Sequence, residues 1–212
     1  MSEQKNPKHK PGEDLVQSAD VTQPKTTLRG ELIRLRNWKD DSDIHGLLDG
    51  IVRATVNKEP GVEIAPGALA NFITKNKTQP GAQHLGVLAL EAIGSNSALD
   101  ALLKVAMAPQ GEYRPGVYAV GALGRIACSS SPMAREAFDK LVELTKHTEN
   151  ITFKDGEKQY RTIPCEAEIE IWHVANGGKC KDIGIADDAK ELAKELFKGR
   201  ITPDKFCGMI VP

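Results

Sequence analysis

A nine-residue stretch of this chain has a close counterpart 30 residues further on. Gly86-Val87-Leu88-Ala89-Leu90-Glu91-Ala92-Ile93-Gly94 lies over Gly116-Val117-Tyr118-Ala119-Val120-Gly121-Ala122-Leu123-Gly124 at an offset of 30 residues. Five pairs are identical: Gly86/Gly116, Val87/Val117, Ala89/Ala119, Ala92/Ala122 and Gly94/Gly124. The segments that follow match at an offset of 39, with Ala98/Ala137, Asp100/Asp139 and Leu102/Leu141 identical. The nine extra residues fall in a longer turn and helix start over Ile126–Pro132. Self-similarity on this scale, with apolar positions recurring every three or four residues, limits the chain to helix–turn–helix units stacked in series. One such unit cannot bury its apolar face alone.

Start and stop signals agree with that pattern. Pro80 opens a helix with Leu85, Leu88, Ala89, Ala92 and Ile93 inward, and Gly94 is placed to end it. Ser95-Asn96-Ser97 caps the next, with Leu99, Leu102, Leu103 and Val105 inward. So short a turn makes the two antiparallel neighbours. Pro115 opens a helix carrying Val117, Val120, Leu123 and Ile126, and Ser129–Ser131 with Pro132 start its partner, with Phe138, Leu141, Val142 and Leu144. Upstream, Asp40, Asp41 and Asp43 lead into a helix over Ser42–Asn57 with Ile44, Leu47, Leu48, Ile51, Val52 and Val56. Glu59-Pro60-Gly61 breaks it, and Pro66–Asn76 follows with Leu69, Phe72 and Ile73 inward. Leu28–Trp38 reads as either a capping helix or an extended lead-in.

The runs LALEAIGSNSALDALLKVA and YAVGALGRIA resemble HEAT repeats, in particular the short HEAT-like variety of phycobilisome lyases. The run Ala122-Leu123-Gly124-Arg125-Ile126 carries the likeness most clearly. It covers Pro80–Lys146, and Ser42–Asn76 as a more divergent first repeat. Where that family usually has a Val-Arg step before the Ala-rich helix, this chain has Pro115-Gly116, with Arg114 just upstream. The resemblance implies an armadillo-like α-solenoid in which Ala89, Ala92, Ala119 and Ala122 let helices approach closely. An aromatic content of 5% fits a core built from Ala, Leu, Val and Ile.

The ends differ in character. Met1–Thr27 is rich in Pro, Lys, Gln, Ser and Asp and reads as a disordered N-terminal tail. Beyond Glu149, Ile151-Thr152-Phe153 and Tyr160-Arg161-Thr162-Ile163 flank Lys154-Asp155-Gly156-Glu157 and read as a β-hairpin. Pro164–Asn176 reads as a helix with Ile169, Trp172, His173 and Ala175 inward, ended by Gly177-Gly178. Ala186–Lys198 reads as another, with Asp187 and Asp188 in its first turn and a stripe of Ala189, Leu192, Ala193, Leu196 and Phe197. Ile201–Pro212 is expected to tuck back as a cap. The expected fold is therefore mainly α. Residues 1–27 form a tail, 28–148 a short α-solenoid of HEAT-like helix pairs, and 149–212 a small β-hairpin plus C-terminal capping helices.

Charge and motifs narrow the function. With 28 Lys plus Arg against 29 Asp plus Glu and no basic stripe through the repeats, the chain is a poor nucleic-acid binder. No apolar run reaches the roughly 18–20 residues of a membrane span. Four cysteines without a C-x-x-C pair or an apolar leader imply reduced thiols and a cytoplasmic location. Cys165, His173 and Cys180 fit no zinc spacing and read as two buried thiols and an ordinary histidine. Glu166, Glu168 and Glu170 read as a solvated acidic face. There is no G-x-S-x-G elbow and no His-Glu dipeptide, and Gly121–Gly124 lies within a helix rather than in a phosphate loop. No catalytic residue, cofactor or metal ligand is expected, which leans against an enzyme. Tyr113, Arg114, Tyr118 and Trp172 are the candidate contact anchors, since such residues dominate interface energetics. The reading is a non-catalytic protein–protein interaction module, an adaptor or scaffold whose partner is another protein. The resemblance also implies an alternative, an accessory protein or lyase of the bilin-lyase kind, and behind it a nucleic-acid-binding HEAT-like protein.

Overall fold

Capping side chains and prolines set the helix ends. A computed structural model of the protein describes residues 27–39, 43–76, 79–108, 115–147, 163–177, 179–200 and 202–203. Thr27 caps α1 (Leu28–Arg36), its side chain accepting from the Gly30 amide. The stretch left open between helix and extended lead-in is thus a helix. Asp43 caps α2 (Ile44–Val56) by accepting from the Gly46 amide. Left-handed Lys58 (φ 56°) and Gly61 (φ 94°) then reverse the chain. A single 3-10 turn, Val62–Ile64, leads into α3 (Ala65–Lys75). Pro80 begins α4 (Pro80–Ile93), and Gly94 ends it at φ 54°. Ser95 accepts from the Ala98 amide and caps α5 (Asn96–Met107). Then come α6 (Pro115–Ala127) and α7 (Ala134–Thr145). Two more helices, α8 (Ile163–Asn176) and α9 (Ile183–Leu196), complete the series among the described residues.

The chain is mainly helical, with no strand among the described residues. The expected hairpin falls on 151–162, outside those residues, and its last member Ile163 is the first residue of α8. Residues 1–26 of the expected 1–27 tail and most of the expected C-terminal tuck-back also lie outside them, while Thr27, at the tail's end, is the cap of α1. No described helix is long and apolar enough to cross a membrane.

The helices pack in chain order. Most make their main contacts with the next helix and the next but one, whereas α2 packs chiefly on α1 and α4, and α9 on α8. This sorts them into two layers, α1, α3, α5 and α7 in one, α2, α4, α6 and α8 in the other, with α9 against α8. The core between the layers is aliphatic. Leu69, Ile73, Leu90, Leu99, Leu102, Leu123, Leu141 and Ile171 are fully buried, and Phe72 and Phe138 are the aromatic side chains in it among the described residues. Small residues set the spacing where α4 meets α3. A Cβ on Gly86 would lie 2.7 Å from Ile73 Cγ1.

Three expectations about helix phase are corrected. On α4 the buried residues are Ala82, Gln83, Gly86, Val87, Ala89 and Leu90, while Leu88 and Ala92 are exposed. The helix is flanked by α2, α3, α5 and α6 and is apolar nearly all round, so its pattern carries little directional signal. On α8 the inward set is Ile163, Ala167, Ile171, Val174 and, as expected, Ala175. Ile169 and Trp172 are half-buried and His173 is exposed. On α9 the start is three residues earlier than expected, capped by Asp182, which accepts from the Ile185 amide. Asp187 and Asp188 are therefore in the second turn and act through side chains instead: Asp188 pairs with Arg135 at 2.6 Å and Asp187 with Lys190 at 3.0 Å.

Candidate functional site

The two matched helices, α4 and α6, lie side by side in the same layer. Leu88 and Tyr118 hold aligned positions of the sequence self-match and, like Ile33, Val56, Ile64, Met107 and Ile183, are large side chains at the surface. They are 38% and 41% exposed. His84, one turn before Leu88, stands edge-on to the Tyr118 ring at 4.7 Å. Its Nδ1 is buried with no hydrogen-bond partner among the described residues. An aromatic hydroxyl, a leucine and an imidazole thus share one patch bridging α4 and α6.

One turn further along, the same surface becomes charged. Arg125 on α6 grips Glu91 on α4 with two parallel bonds, Nε to Oε1 at 2.9 Å and Nη2 to Oε2 at 2.7 Å. Such fork-to-fork pairing is directional as well as strong. The Glu91 hydrogen bond raises the Arg125 pKa, against the opposing effect of burial. From α8, Glu170 reaches the other side of Arg125. Gly121 and Gly124 make this approach feasible: a Cβ on Gly124 would collide with the Glu170 carboxylate. Burial pushes the Glu170 carboxyl above the usual range, while His173 and Arg125 pull it back and Glu166 adds to the rise. His173 Nδ1 lies 3.8 Å from Glu170 Oε2. Glu168 points elsewhere, to Arg200 at 2.8 Å. The expected solvated acidic face on α8 is corrected accordingly, because Glu168 and Glu170 are engaged by other helices and segments.

A recess of about 410 Å³ opens beside the Glu91–Arg125 pair, lined also by Gly94, Ile126, Ser129 and Ser131. Neither Glu170 nor His173 lines it.

Of the four candidate anchors, Tyr118 is on this patch. Trp172 on α8 is half-buried and its ring meets Phe197 edge-on at 5.4 Å, so it packs α8 on the end of α9. Tyr113 and Arg114 lie outside the described residues. Cys180 is brought to Cys128 rather than to Cys165 or His173. The Lys181 amide donates to the Cys128 carbonyl at 3.3 Å, and Cys180 Sγ contacts the Ala127 carbonyl at 3.8 Å. Both thiols are half-buried, and burial, helped by the neighbouring Cys180 thiol, pushes Cys128 up to about 11. His84, Leu88, Glu91, Arg125 and Glu170 escape sequence reasoning as a group, though the alignment of Leu88 with Tyr118 in the self-match is a signal that could have found Leu88.

Compared with family models, curated proteins and solved structures, the chain gives no match.

Proposed function

We propose that this chain is a short α-solenoid of HEAT-like helix pairs and serves as a non-catalytic protein-binding module. Its contact face is the patch of His84, Leu88 and Tyr118, with the Glu91–Arg125–Glu170 cluster beside it. The observation that carries the reading is the exposure of Leu88 and Tyr118 at equivalent positions of two adjacent helices. In a stacked array the same position in successive units lies in one row, and such rows form extended binding surfaces. Tyr is favoured at such places because it combines contact area with a polar tip. The packing of most helices on their neighbours one and two along the chain also supports it, since series stacking is what repeat proteins do.

The test compares proteins captured from native lysate by the intact chain and by a Leu88→Ala/Tyr118→Ala variant of unchanged circular dichroism. A specific partner held by the intact chain should drop at least about tenfold with the variant, the order expected for losing two anchors. An identical captured set from both proteins would refute the contact face.

A further inference from the structure

The first helices carry a second surface, in the other layer and at the beginning of the array. A groove of about 580 Å³ runs between α1 and α3. Leu32, Leu35, Trp38 and Phe72 supply its apolar floor, with Trp38 edge-on to Phe72 at 5.5 Å. Ile33 on the α1 side and Ile64 at the start of α3 extend that apolar surface outward, at 53% and 56% exposure. In this layer α3 lies between α1 and α5, and α5 between α3 and α7, whereas no described helix precedes α1. Among the described residues, no helix covers the groove on that side.

Its charge is one-sided. Arg29, Arg36 and Lys75 line it, and among the described residues no carboxylate does. Among the described residues none of these three cations has an ion-pair partner. Arg53, Lys58, Lys104 and Lys146 likewise have no ion pair among the described residues, so what sets the groove apart is that three such cations, Arg29, Arg36 and Lys75, line one apolar recess. An apolar trough framed by unpaired cations is complementary to a segment with an apolar stripe and acidic flanks.

We propose that the α1/α3 groove docks an acidic amphipathic helix of a partner protein. The helix sets apolar side chains at i, i+3, i+4 and i+7 spacing against Trp38 and Phe72, with its carboxylates facing Arg29, Arg36 and Lys75. This is the helix-in-groove mode of recognition. A recess between two helices receives individual side chains, which favours a peptide over the flat surface of an anionic membrane. The proposal rests on the reading of the chain as a protein-binding module and adds to it a second surface and the chemistry of what it takes.

The probe is a fluorescein-labelled peptide with Leu at i, i+3, i+4 and i+7 positions and Glu at the others, titrated with the full chain and read by anisotropy. Controls are the same peptide with Lys in place of Glu, the same peptide with Ser in place of Leu, and phosphatidylserine-containing vesicles. The acidic peptide should bind, and more weakly as salt rises. Binding should fall at least about tenfold in Arg36→Glu/Lys75→Glu and in Ile33→Asp, whose exposed positions spare the fold. Lys190→Glu/Lys194→Glu, on α9, should bind as the intact chain does. Equal binding of the Lys peptide, no effect of Arg36→Glu/Lys75→Glu, or co-sedimentation with vesicles in place of peptide binding would each overturn the proposal. Loss of a lysate partner at Leu88 and Tyr118 alongside such a failure removes the groove and leaves the first contact face standing. Peptide binding that obeys the rim charges, with no partner lost at Leu88 and Tyr118, does the reverse.

Discussion

Gly86 is the position where the close packing of this array can be tested by adding one methyl group. It lies inside α4 and is buried against α3. A Cβ there would sit 2.7 Å from Ile73 Cγ1, 3.2 Å from Ile73 Cδ1 and 3.5 Å from Phe72 Cδ1. Two effects of Gly86→Ala oppose each other. Replacing a mid-helix glycine by alanine gains about 0.5–1 kcal/mol. Overpacking a tight core costs about 1–3 kcal/mol. The clash is at Cγ1, close to the root of a β-branched side chain that has essentially one rotamer in a helix, so Ile73 cannot swing aside. The α3–α4 spacing must open instead, and the net change should be destabilising by about 1 kcal/mol. Gly67→Ala on α3 is the control, since a Cβ there meets nothing within 4 Å. It should gain about 0.5–1 kcal/mol. The two variants should therefore stand about 2 kcal/mol apart, roughly 4–8 °C in Tm for a domain of this size. Urea denaturation and thermal scans followed by circular dichroism read both quantities. In an Ile73→Ala background the obstructing atoms are gone, and Gly86→Ala should there become neutral or stabilising. If Gly86→Ala in the intact chain stabilises as much as Gly67→Ala, the close-packing account is wrong.

Three further outcomes follow from the geometry. Burial raises the Glu170 pKa, so the folded state holds that proton more tightly than the unfolded chain, and the group's contribution to stability falls as pH rises through the window above 4.5. Glu170→Gln should be as stable as the intact protein near pH 4 and equal or more stable at pH 7, by urea midpoints; a variant that loses more at pH 7 than at pH 4 refutes this. Cys128, pushed up to about 11, should be alkylated by iodoacetamide at pH 8 about two orders of magnitude more slowly in the folded protein than in urea, by peptide mass spectrometry. Asp182→Ala removes the α9 cap and should cost about 1 kcal/mol, whereas Asp187→Ala, an exposed i,i+3 pair, should change stability by less than about 0.5 kcal/mol. Equal costs at the two aspartates would place the start of α9 where the apolar stripe begins.

The features legible in the sequence are those with local causes. Pro80, Pro115, Gly94, Ser95 and Asp43 each act on their own turn of chain, and each marks a helix end at the expected place. Phase on α4 was not legible, because a helix enclosed by four neighbours has apolar residues on nearly every side and no single stripe to read. The start of α9 was hidden for a different reason. Exposed Ile183 and Gly184 separate the cap Asp182 from the apolar stripe, so the acids beside that stripe looked like a first turn. Contacts between distant segments leave still less trace. Cys128 and Cys180 meet through the approach of two turns, and no spacing rule links residues so far apart in the chain.

The clearest illustration is a pair of residues that the repeat makes identical and the fold uses differently. Gly94 ends α4 in the left-handed conformation, and Ser95 at once caps the next helix. Its counterpart Gly124 lies within α6, because Arg125-Ile126-Ala127 continue the helix where the first repeat has cap residues. With no side chain of its own, Gly124 leaves the space into which Glu170 descends from α8. The same residue type thus supplies φ freedom in one unit and room in the other. What divides the two uses is the residue that follows. A serine there favours a new helix start, whereas an arginine extends the helix and places a guanidinium between Glu91 and Glu170. The charged part of the proposed contact face therefore arises where the second of the two aligned segments departs from the first, and the apolar part, Leu88 with Tyr118, where the two correspond.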